Sequence, residues 1–251
     1  MKKSLLFILF FLHLTLESRS QDFDALRTIS TGIDISQIKE GLNHGLVYTG
    51  PLFKFNYRRS WDLNKHTLTY EGRFGLGPLS TREMLGLNFI ITPIDLSYFA
   101  YENRKRIYFK AGPWFSVDYN YQLYPNHQSG YSFYFTNINL GFVASASFEN
   151  DDIYLRIRWK NSLLGLVSRP PIYRNPYFFD LSLGTYFKDQ HRTFQGGSFN
   201  VFNNTQAEVL YVNPHHPRIG FAYQFWYFTY SDEPSLKTLS HGISILFFPK
   251  T

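Results

Sequence analysis

Apolar and polar side chains alternate one for one along most of this chain. Across residues 66–77 the even positions hold Leu68, Tyr70, Gly72, Phe74 and Leu76, while the odd positions hold Thr67, Thr69, Glu71, Arg73 and Gly75. Residues 153–160 set Ile153, Leu155, Ile157 and Trp159 against Tyr154, Arg156, Arg158 and Lys160. Residues 47–58 set Val47, Phe53, Phe55 and Tyr57 against Lys54, Asn56 and Arg58. The same alternation runs through 107–121, with Lys110 and Asp118 on the polar side, and through 177–188, with Asp180 there. Successive side chains of a strand point to opposite faces, so each segment reads as a strand with one greasy side; helical spacing fits none of them.

Weaker alternation fills the gaps, at 25–36, 84–101, 131–148, 192–202, 205–212, 218–230 and 237–248. Two of these segments change phase, near Pro93 and near Asn137, which predicts β-bulges at both places. Residues 84–101 are the one long apolar stretch after the first twenty, and Pro93 and Asp95 at its centre oppose a spanning helix. The total is about twelve antiparallel strands in one domain, or ten if two weak segments are miscounted. Connections at 63–65, 102–106, 149–152, 189–191 and 213–216 are short and polar, whereas 37–45, 122–130 and 163–176 are longer. Short turns on one side and long loops on the other, with both ends on the short side, is the arrangement of an outer-membrane barrel.

Composition sharpens this picture. Phe, Tyr and Trp make up 20% of the chain and charged residues only 18%. A small soluble domain has no core large enough for so many aromatics, whereas a membrane barrel has a lipid-facing wall and two interfacial girdles. A secreted sandwich or lipocalin-like barrel also alternates, but it needs a charged exterior. Residues 1–20 read as a signal peptide: Lys2 and Lys3 precede an apolar run from Leu5 to Leu16, and Ser18 and Ser20 have the small-x-small spacing of a cleavage site. Its removal takes the formal charge from +6 to about +4. With no cysteine, neither disulfides nor thiolate metal sites are available. No Gly-rich phosphate loop, zinc spacing or nucleic-acid module is visible, so no cofactor is implied and nucleic acid is not an expected partner.

From residue 21 to 251 the pattern resembles bacterial outer-membrane β-barrel proteins as a class. The final strand ends on aromatic Phe248, like those proteins, but Pro249, Lys250 and Thr251 follow it. The segment Asn161-Ser-Leu-Leu-Gly-Leu, with Pro170-Pro171 and Tyr177-Phe-Phe-Asp, is similar to stretches in uncharacterised outer-membrane proteins of Bacteroidetes. The resemblance implies fold and location, with lipid and lipopolysaccharide as the surroundings, and no activity.

The polar faces of the five strongest strands carry Lys54, Arg58, Glu71, Arg73, Lys110, Asp118, Arg156, Arg158, Lys160 and Asp180. If they face the lumen, they form either a salt-bridged plug, the preferred reading, or a narrow pore that favours anions because most of them are basic. Arg156, Arg158 and Lys160 share one face of one strand. A second candidate is His127-Gln-Ser129, which resembles the His-x-Ser core of outer-membrane phospholipase A and lipid A deacylases. That resemblance implies an ester hydrolase with Asn137 or Asn139 orienting the histidine, although the Gly130-Tyr131 that follow depart from the family pattern. His215-His216 between two prolines, and Asn203-Asn204-Thr205, both read as turns. Arg169 and Arg174 lie in the longest loop, where they read as solvated residues able to meet lipid A phosphates or an envelope partner. These features together point to a barrel with a structural or passive-transport role. The alternatives are the hydrolase and a partner-binding anchor.

Overall fold

The alternating segments pair into one antiparallel sheet that closes on itself. A computed structural model describes residues 27–41, 45–63, 66–82, 84–104, 107–124, 131–150, 152–169, 191, 194–232 and 235–249. In chain order the strands are β1 (Thr28–Glu40), β2 (Leu46–Leu63), β3 (His66–Ser80), β4 (Leu85–Phe99), β5 (Tyr101–Arg104), β6 (Ile107–Tyr124), β7 (Tyr131–Glu149), β8 (Tyr154–Ser168), β9 (Phe194–Ser198), β10 (Phe202–Val212), β11 (Ile219–Tyr230) and β12 (Leu236–Phe247).

Ten of these form the ring, not twelve. Each neighbours the next in sequence, β12 returns to β1 from Ile29↔Phe247 to Glu40↔Leu236, and β8 closes on β10 from Asn161↔Thr205 to Tyr154↔Val212. The β5 segment continues the line of β4 along the edge of β6. The β9 segment pairs with the last turns of β8, Leu164 to Ser168, beyond the part that β10 occupies. The strand expected at 192–202 is thus not a wall strand over its described part, Phe194–Ser198: β10 already holds that edge of β8, and β9 lies outside the ring. The expected strand at 177–188, with Asp180, lies outside the described residues, as do residues 1–20.

The bulge expected near Pro93 is present. Between Ile91 and Ile94 β4 carries one residue more than β6, and it carries one more than β3 across Tyr70/Arg73. The extra residue resets the alternation, so Asp95 faces the same side as Thr92. The bulge expected near Asn137 is absent: β7 pairs with β6 without a break from Tyr131 to Phe148. The register shift lies instead on β8, where Leu163 is the extra residue opposite Leu140/Gly141.

Both ends of the ring, at β1 and β12, lie on the rim where β2–β3, β7–β8 and β10–β11 make their short turns. The opposite rim carries the longer connections. Strands reach 19 residues in β7, whereas about 9–11 residues suffice for a tilted strand to cross a bilayer. The strands thus project past any membrane-wide band. Among the described residues no helix is long and apolar enough to span, which says nothing of crossing by strands.

Candidate functional site

The wall sorts its residues in the opposite sense to a soluble protein. Phe53, Phe55, Phe74, Ile91, Phe109, Ile157, Trp159, Phe221 and Ile243 point outward and are exposed, Ile243 at 71%. The alternate positions point inward, and there Arg58, Glu71, Asp118, Arg156, Arg158 and Lys160 are buried. Period two alone produces this: once the outer face is apolar, the charges of the same strand have only the lumen.

At mid-height these side chains form a layer of ion pairs. Arg58 on β2 donates to its register partner Glu71 on β3 (Nη2 to Oε2, 3.1 Å) and reaches across the ring to Glu208 on β10 (2.7 Å). Arg156 donates to the other oxygen of Glu208 at 3.0 Å. On the far side of the layer Asp95 accepts from Lys160 (2.7 and 2.8 Å), Arg73 (3.0 Å) and the Trp114 indole (3.0 Å). Asp118 accepts from Thr92 (2.6 Å), Ser116 (3.1 Å), Asn137 (3.2 Å) and Asn139 (2.9 Å). Lys54 pairs with Asp34 and donates to Gln224, both at 2.6 Å, and Gln224 passes a hydrogen bond to Glu208. Charges this deep are stable only when paired and hydrogen-bonded, and here they pair across strands remote in sequence.

Apolar layers close the lumen above and below. Towards the long-loop rim Phe135 stacks on Phe228 with centroids 5.1 Å apart, Phe202 meets Phe228 edge-on, and Tyr48 packs on Tyr124. Ile38, Leu79, Val167 and Leu236 complete that cluster. Towards the short-turn rim lie Tyr154, Leu210, Val212, Leu246 and Phe248, and beside them Phe99, Trp114 and Val143. Between the layers remains a cavity of about 70 Å³ lined by both basic and acidic side chains.

In fold the chain is similar to a bacterial outer-membrane barrel. The structure of the outer membrane protease OmpT from Escherichia coli superposes with a TM-score of 0.52 at 9% identity, covering 93% of this chain and 99% of that one. The translocator domain of autotransporter NalP from Neisseria meningitidis gives 0.44 at 8% identity, over 98% and 96% of the two chains. The COG4313 outer membrane channel from Pseudomonas putida F1 gives 0.38 at 10%, over 92% and 99%. No protein-family model matches the sequence, and no curated protein matches it. At such identities the likeness establishes a closed antiparallel barrel and nothing about chemistry.

Nine of the ten charged candidates lie among the described residues, and all nine are on the inner side of the wall. Three acids without a candidate role in the sequence join them there: Asp34, Asp95 and Glu208. All three lie on strands of weaker alternation, and Asp95 comes into phase only through the bulge at Pro93. With them included, the seven described basic candidates face five acids, so this set stays net basic by two; buried Arg59 and the Glu40–Arg169 pair lie outside that count.

Other candidates fare differently. His127 and Ser129 lie outside the described residues. Asn137 and Asn139, considered as their partners, point into the lumen and donate to Asp118. His215 and His216 sit in the exposed turn between β10 and β11, which Asn213 closes by accepting from the His215 amide (2.9 Å). Asp152 from the next turn comes within 3.3 Å of His215, and no group of three metal-ligating side chains occurs among the described residues. Asn203-Asn204-Thr205 is not a turn: it is extended in β10, and buried Asn204 accepts from Trp226 and donates to Asn139. Arg169 is not solvated. It is buried against Glu40, with its guanidinium 5.9 Å from the Tyr230 ring. Arg174 lies outside the described residues.

Proposed function

We propose that this protein is a bacterial outer-membrane barrel whose interior is an ion-paired plug, and that it serves as a structural wall element presenting its long connections at the cell surface. The observation that carries this reading is the inversion of the wall: exposed apolar side chains outside, and buried, paired charges within. Such an exterior is matched to lipid, since soluble monomers rarely expose apolar patches above a few hundred Å². In this reading residues 1–20 direct export, lipid and lipopolysaccharide surround the wall, and an envelope partner meets the long-loop rim.

The anion-favouring pore is less well supported. Lys54, Arg58, Arg73, Arg156 and Lys160 are bound to carboxylates, and apolar clusters lie on both sides of the charged layer. The deciding experiment inserts the refolded chain into lipid vesicles and planar bilayers. A plugged wall element floats with the vesicles and gives no discrete conductance steps. Anion-selective steps would restore the pore, and failure to insert would remove the membrane assignment altogether.

A further inference from the structure

The cations and carboxylates of the central layer do not match one for one. Lys54 has Asp34, Arg58 has Glu71 and Glu208, Arg73 and Lys160 share Asp95, and Arg156 has Glu208. Arg158 is the exception. Glu71, already held by Arg58, is 4.0 Å from the Nη1 of Arg158, whose register partner Glu208 is engaged by Arg58 and Arg156. The Nε and Nη1 atoms of Arg158 are buried without a hydrogen-bond partner, and its side chain is only 5% exposed.

A second orphaned donor lies close by. Gln206, on β10 opposite Lys160, is 8% exposed, and its Nε2 has no partner. Both residues line the central cavity, whose wall also carries other cations and the carboxylates of Asp34, Glu71, Asp118 and Glu208. A single water needs only about 10–15 Å³ of such space, so about 70 Å³ holds a halide or a small oxyanion with room for water.

We propose that this cavity is a binding site for a small inorganic anion of the chloride type, held by Arg158 and Gln206 as part of the folded core. Water could satisfy the two donors, but it leaves the cavity wall with five cations (Lys54, Arg58, Arg73, Arg158 and Lys160) against four carboxylates (Asp34, Glu71, Asp118 and Glu208), and buried charge is stable only when it is paired. An anion meets both needs. It also explains why a strand carrying Arg156, Arg158 and Lys160 on one face packs into a lumen whose acids already have other partners.

The test uses the refolded chain in detergent, so it does not depend on where the barrel resides. Thermal midpoints are compared in sodium chloride and sodium gluconate at equal ionic strength, and crystals grown in sodium bromide are measured at the bromine absorption edge. The wild-type midpoint is expected to rise with the logarithm of chloride concentration above its gluconate value. The rise is expected to vanish in Arg158→Met and to shrink in Gln206→Leu. Arg158→Met leaves Glu71 and Glu208 with their other cations, so the ion layer stays paired. Bromide should give an anomalous peak within hydrogen-bond distance of Arg158 Nη1. Equal wild-type midpoints in the two salts, or density there without anomalous signal, would mean water only and would overturn the proposal. If Arg158→Met fails to fold, the wild-type bromide measurement and Gln206→Leu decide it.

Discussion

Arg58 and Glu208 are joined across the lumen, Nη2 to Oε2 at 2.7 Å, from strands four places apart around a ring of ten. The pair ties β2 to β10 with no backbone hydrogen bond between them. Glu208 also holds Arg156, so its removal strips two guanidinium groups of one anion. Glu208→Gln is expected to lower unfolding free energy by about 3–5 kcal/mol, the range for breaking a buried pair. Adding Arg156→Met should recover part of that loss, because one stranded cation is then removed as well. Urea unfolding in lipid vesicles, followed by tryptophan fluorescence, measures both.

The outer wall offers a test that separates lipid from water. Ile243, on β12, is the most exposed large apolar residue among the described residues and lies level with Ile33 and Tyr223. In a bilayer Ile243→Lys should cost about 2–4 kcal/mol near the midplane. On a water-facing wall the same change stays within about 0.5 kcal/mol. Stability of the two forms in vesicles, measured side by side, gives the answer.

Phe228 touches both Phe135 and Phe202 in the cluster under the long-loop rim. Phe228→Ala should destabilise the barrel by about 3–5 kcal/mol, yet planar bilayers should remain silent. The ion-paired layer beneath the aromatic cover still fills the bore. Discrete current steps in this variant would show that the aromatics alone seal it.

Gly141 faces the bulge on β8. A Cβ at this position would lie 2.0 Å from the carbonyl oxygen of Asn161, which is backbone and cannot swing aside. Gly141→Ala is therefore expected to cost about 1–3 kcal/mol, as overpacking does, while Ala144→Gly nearby, away from the bulge, should cost less. Paired unfolding curves check the difference.

Much of the architecture was legible in the sequence because one property, alternation, sets both the strand and its two faces. Arg58, Glu71, Arg156 and Lys160 could be placed on one side of the wall from their spacing alone. The count of strands was less legible. Residues 192–202 alternate well enough to suggest a wall strand, but whether a strand enters the ring depends on which edge is free, and β10 takes that edge. The phase change near Pro93 was readable because proline marks it. The shift on β8 was not, since Leu163 and Leu164 form an apolar doublet that leaves no trace in a count of greasy and polar positions.

Balance of charge was the hardest feature to read. The strongest strands carry most of the lysines and arginines, while Asp34, Asp95 and Glu208 sit among glycine, serine, proline or amide neighbours where alternation is faint. A reading confined to the clearest segments thus counts the cations and overlooks their partners. Treating every in-phase polar position of the weaker strands as inward would have found all three.

The seam between β1 and β12 joins the earliest and latest strands of the ring over a dozen consecutive residue pairs. Until β12 is in place, β1 and β11 each present a bare row of amide and carbonyl groups, the kind of surface that recruits stray strands. Because that last pairing spans nearly the whole sequence, it is also the slowest kind of contact to form. The unfinished molecule is therefore a sticky half-cylinder, and the cell must shield or template its two lips until the final zip closes.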